Sequence, residues 1–247
     1  MIGTIINVIA VAVGSLIGLL VGDKFSKQTQ SSIVTGLGLV TLSVGMQNSF
    51  KTGNVLIPLF SIAIGVIIGE MLDIQGRLNG FGGWLQKKFA SSQPEEKAAD
   101  GMTARERFIN GFVTASLVFC VGPLTVLGSL SDGMSGDYEL LTIKSALDFF
   151  AAMAFAASLG VGVFFSIITV IVVQGGLSLG GFLAGEIMTK DMTNELTATG
   201  GMILMGLSLI LLDIKHPRVA NYLPALLIAP LIVAAANALG INLYPNI

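Results

Sequence analysis

From Met1 to Gly22 the chain carries no charged side chain. A helix rises about 1.5 Å per residue, so a run of this length reaches across a hydrocarbon core of about 30 Å. Further runs nearly free of charge follow at 30–48, 54–68, 108–130, 145–159, 161–185, 197–212 and 219–239. The expected fold is all-α: a polytopic transmembrane helix bundle of about eight spans, of which 145–159 is short and could instead re-enter. Composition agrees. Hydrophobic residues make up 53% of the chain and charged residues 11%, against roughly 25% charged in soluble domains. The 31 glycines suit closely packed membrane helices. A net charge of −2 offers nothing for nucleic acid to bind. The lone Cys120 excludes an internal disulfide and a cysteine-based metal site. The lone His216 excludes a site with two imidazoles, so neither metal nor cofactor is expected.

The first run does not read as a signal peptide. No basic residue precedes it, and Asp23 and Lys24 follow it without an A-x-A cleavage pattern. Orientation follows from Lys and Arg. With the N-terminus outside, inner segments carry Lys24, Lys27, Arg77, Lys87, Lys88, Lys97, Arg105, Arg107, Lys215 and Arg218, and outer ones carry Lys51, Lys144 and Lys190. The chain is expected to form one transmembrane domain, 1–247. Its parts are a first repeat (1–72), an inner amphipathic linker (73–106), central spans (107–160) and a second repeat (161–247).

The linker carries Ile74, Leu78, Phe81, Leu85 and Phe89 at helical spacing, with Trp84 as an interfacial ring. This predicts a helix lying on the inner membrane face. Gly76, Gly80, Gly82 and Gly83 argue for the alternative, a solvated connector. Thr103-x-x-Glu106 has the form of a capping box that opens the next helix.

An internal repeat is expected. Residues 14–23 (GSLIGLLVGD) align with 177–186 (LSLGGFLAGE), with Gly18 and Gly22 against Gly181 and Gly185, and each block ends in an acid. Thr35-Gly36 then matches Thr199-Gly200. Spans one to three would resemble spans six to eight. The offset of five spans is odd, so the copies would cross in opposite directions, a common build of secondary transporters.

Between the copies lies the densest polar cluster: Cys120, Gly122, Pro123, Ser129, Asp132 and Asp137, then Lys144 and Asp148. Pro123 removes a helix hydrogen bond and frees a carbonyl near the middle of its span, and Gly122 lets the backbone bend there. Asp148 sits in an apolar run, where a charge costs about 3 kcal/mol or more unless compensated. Lys144 is one turn away and can pair with it; the plain alternative is an interfacial staple. Asp132 and Asp137 flank glycines in what reads as an outer loop, either an acidic mouth or an ordinary turn. Gln174, with Asn7, Gln47, Asn48 and Asn237, adds a polar side chain within a span. Gly-rich faces such as Gly14, Gly18 and Gly22 point to close helix contact, within the chain or between copies of it.

Walker A, H-E-x-x-H and G-x-S-x-G motifs are all absent, so no enzymatic activity is expected.

The central stretch carries Cys120-Val121-Gly122, Gly128-Ser129-Leu130, Asp132-Gly133, Gly136-Asp137, Lys144-Ser145, Leu147-Asp148, Phe155-Ala156 and Leu159-Gly160. With Gly3-Thr4, Asn7 and Gly65-x-x-x-Gly69-Glu70, it resembles an uncharacterised bacterial integral membrane protein family, the YdfK- or YqgA-like domain of unknown function. The resemblance runs over nearly the whole chain. Phe149-Phe150 departs from it, where smaller residues are expected, which bears on pocket size and not on membership. It implies a membrane protein of transporter type and assigns no reaction and no residue role.

The expected function is a secondary transporter or permease for a small solute or ion in the bacterial inner membrane. Its partners would be the lipid bilayer and that solute or ion, with self-association through glycine faces. A channel is the first alternative. A scaffold acting through the amphipathic segment is the second.

Overall fold

The computed structural model describes residues 1–22, 26–89, 103–120, 123–184 and 188–244. Among them the secondary structure is entirely helical: α1 (Ile2–Gly22), α2 (Lys27–Ser49), α3 (Leu56–Met71), α4 (Ile74–Phe89), α5 (Ala104–Cys120), α6 (Pro123–Met134), α7 (Glu139–Leu159), α8 (Gly162–Ala184), α9 (Lys190–Leu211), a 3₁₀ turn (Val219–Tyr222) and α10 (Ala225–Ala238). Five segments are long and apolar enough to cross a membrane: α1, α7, α8, α9 and the stretch Val219–Ala238. The bent pairs α3–α4 and α5–α6 raise this to as many as seven. The expectation of about eight also counted α2. That helix opens on Lys27, Gln28, Gln30, Ser31 and Ser32 and closes on Gln47 and Asn48, which dilute its apolar middle.

The chain forms two compact units, and each draws on distant parts of the sequence. The first holds α1, most of α4, and α5 to α8. Its helices are inside-out relative to a soluble protein. On α1 the large apolar residues Ile5, Ile9, Val13, Leu16 and Leu20 are exposed, while Gly3, Asn7, Gly14, Gly18 and Gly22 are buried. On α7, Ile143, Leu147 and Phe150 face out, while Lys144, Ser145 and Asp148 face in. That is the arrangement for a hydrocarbon solvent, where lipid covers the apolar face and small residues let helices approach. Phe150, part of the departure from the family pattern, therefore stands at the perimeter, 62% exposed.

Helix α1 lies along α7. A Cβ on Gly3 would meet the Leu141 side chain, and one on Gly14, Gly18 or Gly22 would lie 2.2–2.6 Å from the carbonyl oxygens of Phe149, Met153 and Ala157. The partner residues rise together along both chains, so the two helices run parallel. α5 packs along α8, with Phe108 against Gly162 and Phe165 and Ser116 bonded to Thr169 at 2.9 Å. α6 meets α8 at Gly133–Ser178 and Leu130–Gly181. The capping box forms: Glu106 accepts from the Thr103 amide at 2.8 Å, and the Thr103 hydroxyl accepts from the Glu106 amide at 3.1 Å.

The amphipathic segment is a helix, with a buried face different from the expected stripe. Gly82, Gly83 and Leu85 are buried, the two glycines against α5, while Phe81 and Trp84 stack at 5.7 Å and are exposed. Two of the glycines that argued against a helix, Gly82 and Gly83, are the contact points that let it approach Phe112, Arg105 and Ile109.

The second unit holds most of α2, then α3, α9, the 3₁₀ turn and α10. Gly45 and Gly201 meet face to face; a Cβ on either would lie 2.6–2.8 Å from the other's carbonyl oxygen. Gly65 and Gly69 seat α3 against Ala225 and Asn221. One end is closed by Arg218, which pairs with Glu70 at 2.6 Å and with Asp73, and by Asn221, which accepts from the Gln75 amide at 2.7 Å. The blocks proposed as a repeat lie partly outside the described residues, since Asp23, Gly185 and Glu186 do, and the fold does not establish the inverted repeat.

Candidate functional site

The polar interior of the first unit is built on three helices. α7 is a full 21-residue helix rather than a short or re-entrant segment, so Lys144 and Asp148, four residues apart, share one face. That face is turned inward: Lys144 is 5% exposed and Asp148 6%. The ammonium Nζ of Lys144 donates to Asp148 Oδ2. Asn7 on α1, itself 0% exposed, donates its side-chain amide to the same oxygen at 3.0 Å. The ammonium also lies 5.9 Å from the centre of the Phe119 ring on α5, within range of a cation–π contact. A buried ion pair of this kind gains little net stability, because desolvating two charges cancels most of their attraction.

Around this core lie polar groups that the protein leaves without partners. Gln174 on α8 is 0% exposed, and neither atom of its amide has a hydrogen bond. Ser129 on α6 is likewise buried with an unpaired hydroxyl. The Asn7 amide oxygen has no partner either. Ser178, one turn after Gln174, lies 3.5 Å from the Thr4 hydroxyl, and Thr4 is one turn before Asn7. Each buried orphan costs about 1–3 kcal/mol.

The expected residues divide as follows. Asp148, Lys144 and Cys120 come together; the Cys120 thiol, half-buried at the end of α5, lies within electrostatic range of both charges. Asp132 is not in a loop. It sits inside α6 with its side chain 1% exposed, accepting from the Met1 α-amine at 2.9 Å through Oδ1, with Oδ2 unpaired. The helix runs on to Met134 because Pro123 starts it rather than kinking it, in the first helical position where proline is tolerated. The bend between α5 and α6 is 73°. The carbonyl freed at this break, that of Phe119, accepts from the Thr125 hydroxyl at 3.0 Å. Gly122 lies outside the described residues. Asp137 stays in the outer turn of the expected topology, where it accepts from the Glu139 amide at 3.0 Å, the ordinary role of a residue preceding a helix.

The sequence marks Asn7 only as a polar side chain within a span and does not show that it completes the Asp148 site. Sequence reasoning missed Glu195 altogether. The seventh span was begun at 197, whereas α9 starts at Lys190 and carries Glu195 in its second turn, 0% exposed. An acid just before an apolar run was the available signal.

Comparison with known proteins fits these features. The chain is 32% identical over 237 residues to the Escherichia coli protein named "Uncharacterized protein YqgA", covering 96% of this chain and 98% of that one. It is 27% identical over 246 residues to "Uncharacterized membrane protein YdfK" of Bacillus subtilis, covering 98% and 100%. No solved structure matches. The family described as "Protein of unknown function (DUF554)" matches residues 2–234. With the match extending over both compact units and over every residue of the buried cluster, the chain belongs to this membrane-associated family.

Proposed function

We propose that the protein is a secondary transporter or permease for a small solute or ion in the bacterial inner membrane, with its N-terminus outside. One observation carries the reading: a charged pair and unpartnered polar groups, the Gln174 amide above all, are buried among helices whose outer faces suit lipid. Ionisable groups in such helices are costly and mark substrate or ion paths. A small polar species passing between α1, α7 and α8 would satisfy groups that the protein alone does not. In this reading Asp148 holds a cation or proton, Lys144 and Asn7 tune it, and the chain carries out no covalent chemistry. Of the glycine faces, Gly14, Gly18 and Gly22 are taken up within the chain, leaving Gly176 and Gly180, which have nothing within 4 Å, for self-association.

The test is solute and ion flux in sealed vesicles containing the purified protein. A transporter saturates and shows counterflow, and a channel does neither. Flux no greater than in protein-free vesicles across a panel of inorganic ions and small metabolites would count against both. The exposed Phe81–Trp84 pair on α4, with Lys88 5.0 Å from the Trp84 ring, supports a second reading, a scaffold anchored at the inner interface. Replacing the exposed Phe81 and Trp84 by serine would then remove the role and leave any flux unchanged.

A further inference from the structure

In the second unit, Glu195 is 0% exposed. Its carboxylate accepts from the Thr52 hydroxyl at 2.7 Å and from the Gly53 amide at 2.9 Å. Among the described residues it forms no ion pair. Lys51 and Lys190, the basic residues nearest in sequence to Thr52 and Glu195, are both exposed. A carboxylate shut away from water without a countercharge is expensive.

Two further hydroxyl oxygens are buried in this unit. Thr199 is one turn after Glu195 on the same face of α9, is 0% exposed, and does not bond back to the carbonyl of its own helix. The Tyr244 hydroxyl is shut off from solvent and faces the Glu195 carboxylate within hydrogen-bonding reach, and its ring rests on Gly53. Burial first, then the negative charges of Glu195 and Asp191, push the Tyr244 phenol above its ordinary pKa, so it remains a neutral oxygen ligand. Thr52, whose oxygen already accepts from the Asn54 amide at 3.1 Å, fixes the loop that brings these groups together.

We propose that Glu195, Thr199 and Tyr244 form a binding site for a small alkali cation of sodium size. The donor set is all oxygen, which suits a hard cation. It carries one negative charge, which neutralises one positive charge and would leave a divalent ion half-compensated. No cluster of three acidic, histidine or cysteine side chains stands among the described residues to hold a divalent metal.

The experiment is thermal unfolding of the purified full chain in detergent, at constant ionic strength, with N-methyl-D-glucamine chloride exchanged stepwise for sodium chloride. A cation that binds only the folded chain raises Tm with its concentration, by roughly 3–6 °C per tenfold rise above its Kd. Wild type should show this rise. Glu195→Gln keeps the size and an acceptor oxygen for Gly53 but removes the charge, and should lose it. Thr199→Val, which removes one oxygen at constant volume, should require about tenfold more sodium for the same shift, a penalty of about 1.4 kcal/mol. A wild type indifferent to the exchange overturns the proposal, as does an undiminished rise in Glu195→Gln. Should Glu195→Gln not fold, an unaltered sodium response in Thr199→Val overturns it instead. The readout is stability rather than flux, so its outcome is separate from that of the transport reading.

Discussion

Asp148 was legible in the sequence because an acid within an apolar run has few innocent explanations, and Lys144 because four residues make one helical turn. Neither its depth nor its third partner was legible. Asn7 lies 141 residues away, and only the seating of α1 on α7 brings its amide to the carboxylate. The structure also changes what a mutation tests. Because Lys144 is as buried as Asp148, Asp148→Asn leaves an ammonium without its counterion and should cost roughly 3–5 kcal/mol of stability. The paired replacement Lys144→Met with Asp148→Leu removes both charges at similar volume and should recover most of that loss in thermal unfolding. In vesicles the same double variant should be inactive. Full flux from it would reduce the pair to a staple and take both residues out of the site.

At the level of elements, the glycine spacing of α1 announced a close helix contact but not its partner. The partner is α7 of the same chain, and the contact is to backbone. Gly18→Val would put a branched side chain where a Cβ already lies 2.2 Å from the Met153 carbonyl, and its helix neighbours leave it no room to yield. We expect loss of the folded monomer in size-exclusion chromatography, whereas the same change at Gly180, which has nothing within 4 Å, should be tolerated. The break between α5 and α6 was signalled by Pro123, and its repair was not. Thr125 satisfies the freed Phe119 carbonyl, so Thr125→Val should cost about 1–3 kcal/mol in thermal unfolding, while Thr125→Ser, which keeps the hydroxyl, should cost much less. Span boundaries were the weakest reading. The hydropathy of α7 and α9 is interrupted by Lys144, Asp148 and Glu195, polar residues that only packing could show to be interior.

For the molecule as a whole, the parallel course of α1 and α7 constrains topology. Helices that run parallel across a membrane are separated by an odd number of crossings. Three candidates lie between them, α2 and the bent pairs α3–α4 and α5–α6. If all three cross, the full count returns to eight and the N-terminus and the 135–138 turn share one side. Single cysteines at positions 2 and 137, on a Cys120→Ser background, should both react with an impermeant reagent added to intact cells. Cysteines at positions 27 and 97 should resist it until the membrane is opened. Opposite behaviour of positions 2 and 137 would contradict the packing of α1 on α7. Uniform reversal of all four would leave that packing intact and place the N-terminus inside.

Local information was enough for the solvent and the class of fold. Long apolar runs, few charges and abundant glycine define helices meant for lipid, because each of these is a property of neighbouring residues. Which helices meet was decided by tertiary structure alone. The sequence alignment of residues 14–23 with 177–186 suggested two copies of one element, and the compact units each combine helices from the first and second halves of the chain. Close approach depends on matching small residues across distant segments, as at Gly45 and Gly201, and no local pattern encodes that match. The same holds for the polar sites. Charges and amides can be counted in a sequence, but whether a carboxylate faces lipid, water, a lysine or a threonine hydroxyl depends on how one helix is rotated against the next.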